Sequence, residues 1–264
     1  MELFEHLITW WLSRPAAAVI GILVTLEAGL AGILYFLVSG RWTGDFIRHW
    51  CRIDPMMVMP IALIFSLLVG FLGAEIRQRN QQAGKSVADE ARALDAIHAL
   101  TRTSHGRLAD VRDAASRYAT VVVEQEFPQF GNVGENPAAV AAVDDLERLA
   151  AEYAEDRDSP TVAAHGIMDS VIILKKSREE RSLLLRGSSE FEWLTVITLS
   201  LMSIATIALG RTDSPRMMVA TWAMFIPAVV IVLGLLALRE NPFSPPLSIS
   251  SAPLEAARLH LSAP

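Results

Sequence analysis

What this chain lacks narrows its chemistry first. A single cysteine, Cys51, allows no internal disulfide and builds no zinc-binding pattern. There is no glycine-rich phosphate loop, no nucleophile elbow, no paired cysteine set and no catalytic carboxylate motif. His98, His105 and His165, with Asp169 one turn after the last, are spaced too widely to define a metal site. We therefore expect no cofactor and no enzyme. Strand patterning is missing too, since the one β-branched run, residues 120–123, has no partner strand elsewhere. Nor is a cleavable leader expected: the first apolar run is too long, and no small-residue cleavage site follows it.

What the chain has is hydrocarbon length. Of its 264 residues, 52% are hydrophobic, and they gather in four runs, 16–38, 56–74, 193–210 and 217–238. Each approaches or exceeds the roughly 18–20 residues that cross about 30 Å of hydrocarbon as a helix. The expected fold is all-α: an integral membrane protein with four transmembrane helices and an inserted helical-bundle domain. That domain, residues 75–192, carries 21 acidic and 15 basic residues, an excess equal to the whole-chain net charge of −6. A surface of that sign repels phosphate backbones, so nucleic acid is excluded as a partner.

The chain divides into five parts. Residues 1–15 read as an interfacial N-terminal helix, with Leu3, Phe4, Leu7, Ile8 and Trp11 on one face. Residues 16–74 form a first transmembrane hairpin, 75–192 a soluble four-helix domain and 193–240 a second hairpin. A proline-rich tail, 241–264, is expected to lie extended on other subunits or helices, with one short helix over 253–261. Within the domain, Ala83, Val87, Ala91, Leu94 and Ile97 continue the second span as one long helix. Leu108, Val111, Ala115, Tyr118 and Val122 stripe a second helix over 107–126, and residues 127–136 read as a loop. Asn136-Pro137 opens a third helix to about residue 156, and Ser159-Pro160 opens a fourth toward Gly187. Two returning hairpins put both termini and the domain on one side. Flanking arginines and lysines favour the cytoplasmic side of a bacterial inner membrane.

Two features inside the spans could carry function. Glu27 interrupts the first run. An ionised carboxylate there costs several kcal/mol, so it must face protein or water, as a proton or ion site or as a structural hydrogen bond. In the second span, Ile61, Phe65, Leu68 and Leu72 share one face. In an oligomer such a ring would form a hydrophobic constriction, although ordinary helix packing produces the same stripe.

Several short blocks together carry a family likeness. Val87-Ala88-Asp89-Glu90-Ala91-Arg92-Ala93-Leu94 is followed by Tyr118 and by Glu126-Phe127-Pro128. Arg178-Glu179-Glu180-Arg181 precedes the third span, and Pro242-Phe243 with Ser251-Ala252-Pro253-Leu254 follows the fourth. This set resembles the bestrophin-like family of bacterial membrane proteins, named for a remote likeness to bestrophins. Phe127 stands where the family often has Trp, and a glycine common after the Pro-Phe pair is replaced by Ser244-Pro245-Pro246. Bestrophins are pentameric anion channels with four membrane segments and a large helical cytosolic domain. The resemblance therefore implies a homo-oligomer, a pentamer, in which the second span lines a central pore for small ions. It concentrates on Glu90, Tyr118, Glu126, Arg178 and Arg181, which would form interhelical ion pairs or an ion-binding vestibule. An acidic domain favours cations in such a vestibule, at odds with an anion channel. The competing expectation is a non-conducting membrane scaffold or sensor whose acidic domain binds a cytosolic partner.

Overall fold

The computed structural model describes residues 11, 16–40, 56, 58–102, 107–156, 160–185, 190–212, 214–245 and 247–262. All regular structure among these residues is helical. The chain forms two compact units: Met1–Arg77 with Gly187–Glu240, and Gln78–Arg186 with Asn241–Pro264.

The first unit holds α1 (Ala16–Ser39), the apolar half of α2 (Val58–Thr101), α7 (Glu190–Gly210) and α8 (Pro215–Leu238). All four helices are long and apolar enough to cross a membrane. Phe65 and Leu72 of α2 pack with Val19 and Leu23 of α1, Trp193 of α7 and Leu233 of α8. A second cluster gathers Ala31, Val38, Ile204, Ala208, Met218 and Trp222. The outer faces are equally greasy, with Phe36, Leu63, Phe71, Met224 and Ile231 exposed. Hydrocarbon as solvent accounts for that inversion. Lipid offers no hydrogen bonds, and the hydroxyls of Thr25, Ser66, Ser203, Thr206 and Thr221 each bond the carbonyl four residues back. Trp11 is buried, its indole N–H donating to the Val19 carbonyl at 3.1 Å and its ring meeting Trp193 edge-on. The rest of the expected interfacial helix and the 41–55 connection lie outside the described residues.

The second unit contains the polar half of α2, α3 (Arg107–Val121), a π-helical turn (Val122–Glu126), a 3₁₀ turn (Phe127–Gln129) and α4 (Phe130–Val133). It continues with α5 (Pro137–Glu155), α6 (Thr161–Leu183) and α9 (Ala252–Ser262). Ala83, Val87, Ala91, Leu94 and Ile97 of α2 and the α3 stripe all enter one core. The Asn136 side chain accepts from the Ala138 N–H at 2.8 Å, capping α5 as its position before proline predicts.

Two expectations change here and a third is narrowed. The loop expected over 127–136 is helical up to Val133, because the burial of Phe130 holds the chain coiled; only residues 134–136 leave helix, with Gly134 at φ +83. The fourth helix begins at Thr161 with Pro160 in the cap position and no side-chain cap, and its regular portion ends at Leu183. The tail lies on other helices, one of the two supports expected for it, and forms the short helix α9: Phe243, Leu254, Ala257 and Leu261 belong to the second unit's core.

Gly131 permits that docking. A β-carbon there would sit 2.7 Å from the Phe243 carbonyl oxygen, closer than van der Waals contact allows. Asn241 meanwhile donates its amide to the Gly131 carbonyl at 2.9 Å. Gly131→Ala should cost about 1–3 kcal/mol through this overpacking. Limited proteolysis should then cut the tail faster than in the wild type; unchanged cleavage would refute the close approach.

Candidate functional site

The five polar positions singled out from the sequence meet in one place inside the second unit. Glu90 comes from α2, Tyr118 from α3, Glu126 from the π turn, and Arg178 and Arg181 from α6. All five are buried. The π turn carries Glu126 inward along the face that buries Tyr118 and Val122, and the Phe127 N–H closes the wide turn on the Val122 carbonyl. Single π turns of this kind recur at functional positions.

The connections are dense. Arg178 holds Glu126 with two parallel hydrogen bonds, 2.9 Å to Oε1 and 2.6 Å to Oε2. Arg181 donates to Glu126 Oε1 at 2.8 Å, and its Nε lies 3.3 Å from Glu90 Oε2. Tyr118 donates its hydroxyl to Glu90 Oε1 at 2.6 Å. The Asn136 backbone N–H adds a fourth donor to Glu126, at 2.9 Å to Oε2. The Arg181 guanidinium lies over the Phe130 ring, 4.6 Å from its centroid. Two buried carboxylates thus face two buried guanidiniums, and the exposed Glu135 carboxylate approaches Arg178 Nε at 3.5 Å.

Electrostatics follow burial. Desolvation first, then the Glu90 carboxylate, pushes the Tyr118 phenol well above its ordinary range, so it stays a proton donor. Burial works against the Arg178 charge, but the hydrogen bonds to Glu126 outweigh it and hold the guanidinium above its ordinary value.

In the first unit, Glu27 is fully buried. The Ser200 hydroxyl donates to its Oε1 at 2.6 Å, and Oε2 has no hydrogen-bond partner among the described residues. The four positions singled out on the second span differ in burial. Phe65 and Leu72 are turned into the unit's own core, and Ile61 and Leu68 are half-buried. The uncovered face of α2 instead presents Leu63, Leu67, Gly70 and Phe71. Among the described residues, no group of three or more His, Cys, Asp or Glu could hold a metal ion.

A profile of the bestrophin-like domain matches residues 17–254, which take in all four candidate membrane spans and most of both units' cores. The chain belongs to the bestrophin-like family. Two crystal structures of variants of a bacterial bestrophin homolog from Klebsiella pneumoniae superpose on it with TM-scores of 0.70 and 0.69. Both share 9% sequence identity, covering 94% and 92% of this chain and 97% of each of theirs. A third structure of a homolog from that organism, solved by zinc anomalous phasing, gives 0.66 at 10% identity over 92% of this chain and 97% of its own. At such identities the likeness is one of fold. Comparison with curated proteins gave no match.

Sequence reasoning missed the aromatic floor of the bestrophin-like network. Phe130, buried under Arg181, stands in what read as a loop, and its only signal was a large apolar residue amid polar ones. Ser200 gave no signal either, since its partner Glu27 lies 173 residues away.

Removing one charge from the balanced set leaves the others buried and uncompensated. Arg181→Met should destabilise the second unit by about 3–5 kcal/mol, read as a lower thermal midpoint in detergent. Tyr118 supplies a pH test. Its folded pKa is raised, so its stabilising contribution is full below about pH 10 and is lost as pH climbs beyond that toward the folded value. Tyrosinate absorbance attributable to Tyr118, taken as wild type minus Tyr118→Phe, should appear only when the protein unfolds. Its appearance in the folded protein near pH 10 would contradict the buried hydrogen bond.

Proposed function

We propose that this chain assembles as a homo-oligomer, a pentamer, that conducts small inorganic ions along its rotation axis, in the bacterial inner membrane with the second unit cytoplasmic. The observation that carries the reading is the bestrophin-like match over residues 17–254, spanning every membrane helix. The uncovered face of α2 supports it. Leu63, Leu67 and Phe71 point away from the protomer's own core, and Gly70 between them permits close approach of neighbouring helices. Ringed about an axis, these side chains make an apolar constriction that passes ions only when wetted. Among the described residues, α2 is also the one membrane helix that continues unbroken into the polar unit, so one element can line the path across both environments. Glu27 serves here as an interhelical hydrogen bond to Ser200, not as an ion ligand. No catalytic step is assigned to the chain.

Flux from liposomes loaded with defined salts tests the path. Leu63→Ala with Leu67→Ala should widen the constriction and raise flux several-fold, whereas Phe65→Ala should lower thermal stability without raising flux. Glu27→Gln should conduct like the wild type; loss of flux would move Glu27 into the path. A monomer or dimer in mild detergent, silent in liposomes, would favour a scaffold that binds a cytosolic partner.

A further inference from the structure

The outward side of α6 is apolar where a polar unit has no use for it. Val162, Ile172, Ile173 and Leu183 are 85%, 56%, 50% and 65% exposed. On the opposite side of the same helix, Ile167, Val171 and Leu174 fill the core. Neighbouring α5 behaves differently, keeping Val143, Leu146 and Ala150 inward and Asp144, Arg148 and Glu152 outward. A helix greasy on both sides is a helix covered on both sides.

Charge says what covers it. Read back from its C-terminal end, α6 exposes Glu180 and Glu179, then Lys176, then Asp169, so the sign runs minus, plus, minus. Read forward from Gln78, α2 carries Lys85, Asp89 and Arg92 on its outer side, in the order plus, minus, plus. The two helices run antiparallel within the unit. Arg79 donates to the Leu184 carbonyl, Glu90 meets Arg181, and Leu100 borders Gly166. Lys85 and Glu179 therefore stand at similar heights, as do Asp89 and Lys176, while Arg92 stands level with the isoleucine pair. Rotation about an axis along these helices preserves height, so a neighbouring copy would bring opposite signs together.

We propose that the outer face of α6 docks on the outer flank of α2 in a second copy of this chain, head to tail around a closed ring. Lys85 then pairs with Glu179 and Asp89 with Lys176, while the Arg92 stem covers Ile172 and Ile173 and its head reaches toward Asp169. Within one copy, Arg92 bonds Asp89 and Lys176 approaches Glu180 at 4.0 Å. Exposed pairs of that kind exchange partners at little cost. This interface rests on the oligomeric reading above and names the surface that builds it.

Cysteine pairs distinguish the two ideas. In a Cys51→Ser background, Lys85→Cys combined with Glu179→Cys should, with a short bismaleimide, give a ladder of covalent multiples of 28.9 kDa. Each single variant should stay at one chain mass. Light scattering in detergent reports the assembly independently. A ring without a ladder overturns this interface and leaves the channel standing; a monomer by scattering overturns both.

Discussion

Four full charges stand in the second unit with no water to solvate them, and the arrangement of everything around them follows from that constraint. Glu90, Glu126, Arg178 and Arg181 come from α2, the π turn and α6, so none can be neutralised until those three elements are in place. Tyr118 of α3 and the Asn136 N–H donate to the same carboxylates, adding to the bonds from the guanidiniums. Such a set is expensive to break and adds little net stability over an apolar core of equal volume. What it confers is registry: a helix shifted by one turn would strand a charge.

The π turn and the tail are tied to the same point. Glu126 ends the turn, Phe130 lies under Arg181, and Phe243 of the tail meets Phe127 and Phe130 edge-on. Glu124, within the turn, pairs with Arg258 of α9. These contacts join segments far apart in the chain, from the extension of the second span to the residues after the fourth. In the first unit the constraint is the opposite one. Hydrocarbon supplies no partners, so hydroxyls bond within their own helices and Glu27 takes Ser200 from another helix.

Much of this was legible beforehand. The four apolar runs, the long continuation of the second span and the buried stripes of α2 and α3 follow from length and 3.6-residue periodicity, which are local properties. Glu90, Tyr118, Glu126, Arg178 and Arg181 were legible as a set through family likeness, but their pairing was left open. The burial of Phe65 and Leu72 in the unit's core was not legible for a plain reason. In a membrane helix every face is apolar, so periodicity cannot say which one meets protein and which meets lipid or a neighbour. The 127–136 segment misled because glycine and proline argue for a loop, while burial of Phe130 against Arg181 and Phe243 kept it helical.

The sequence by itself determined the solvent, the four apolar spans and the polarity of each segment, because these depend only on residues near one another in the chain. Tertiary structure alone decided which carboxylate holds which guanidinium, which side of α2 is left open, and that the tail completes the polar unit. Each of those depends on contacts between residues tens to well over a hundred positions apart, which no local pattern encodes.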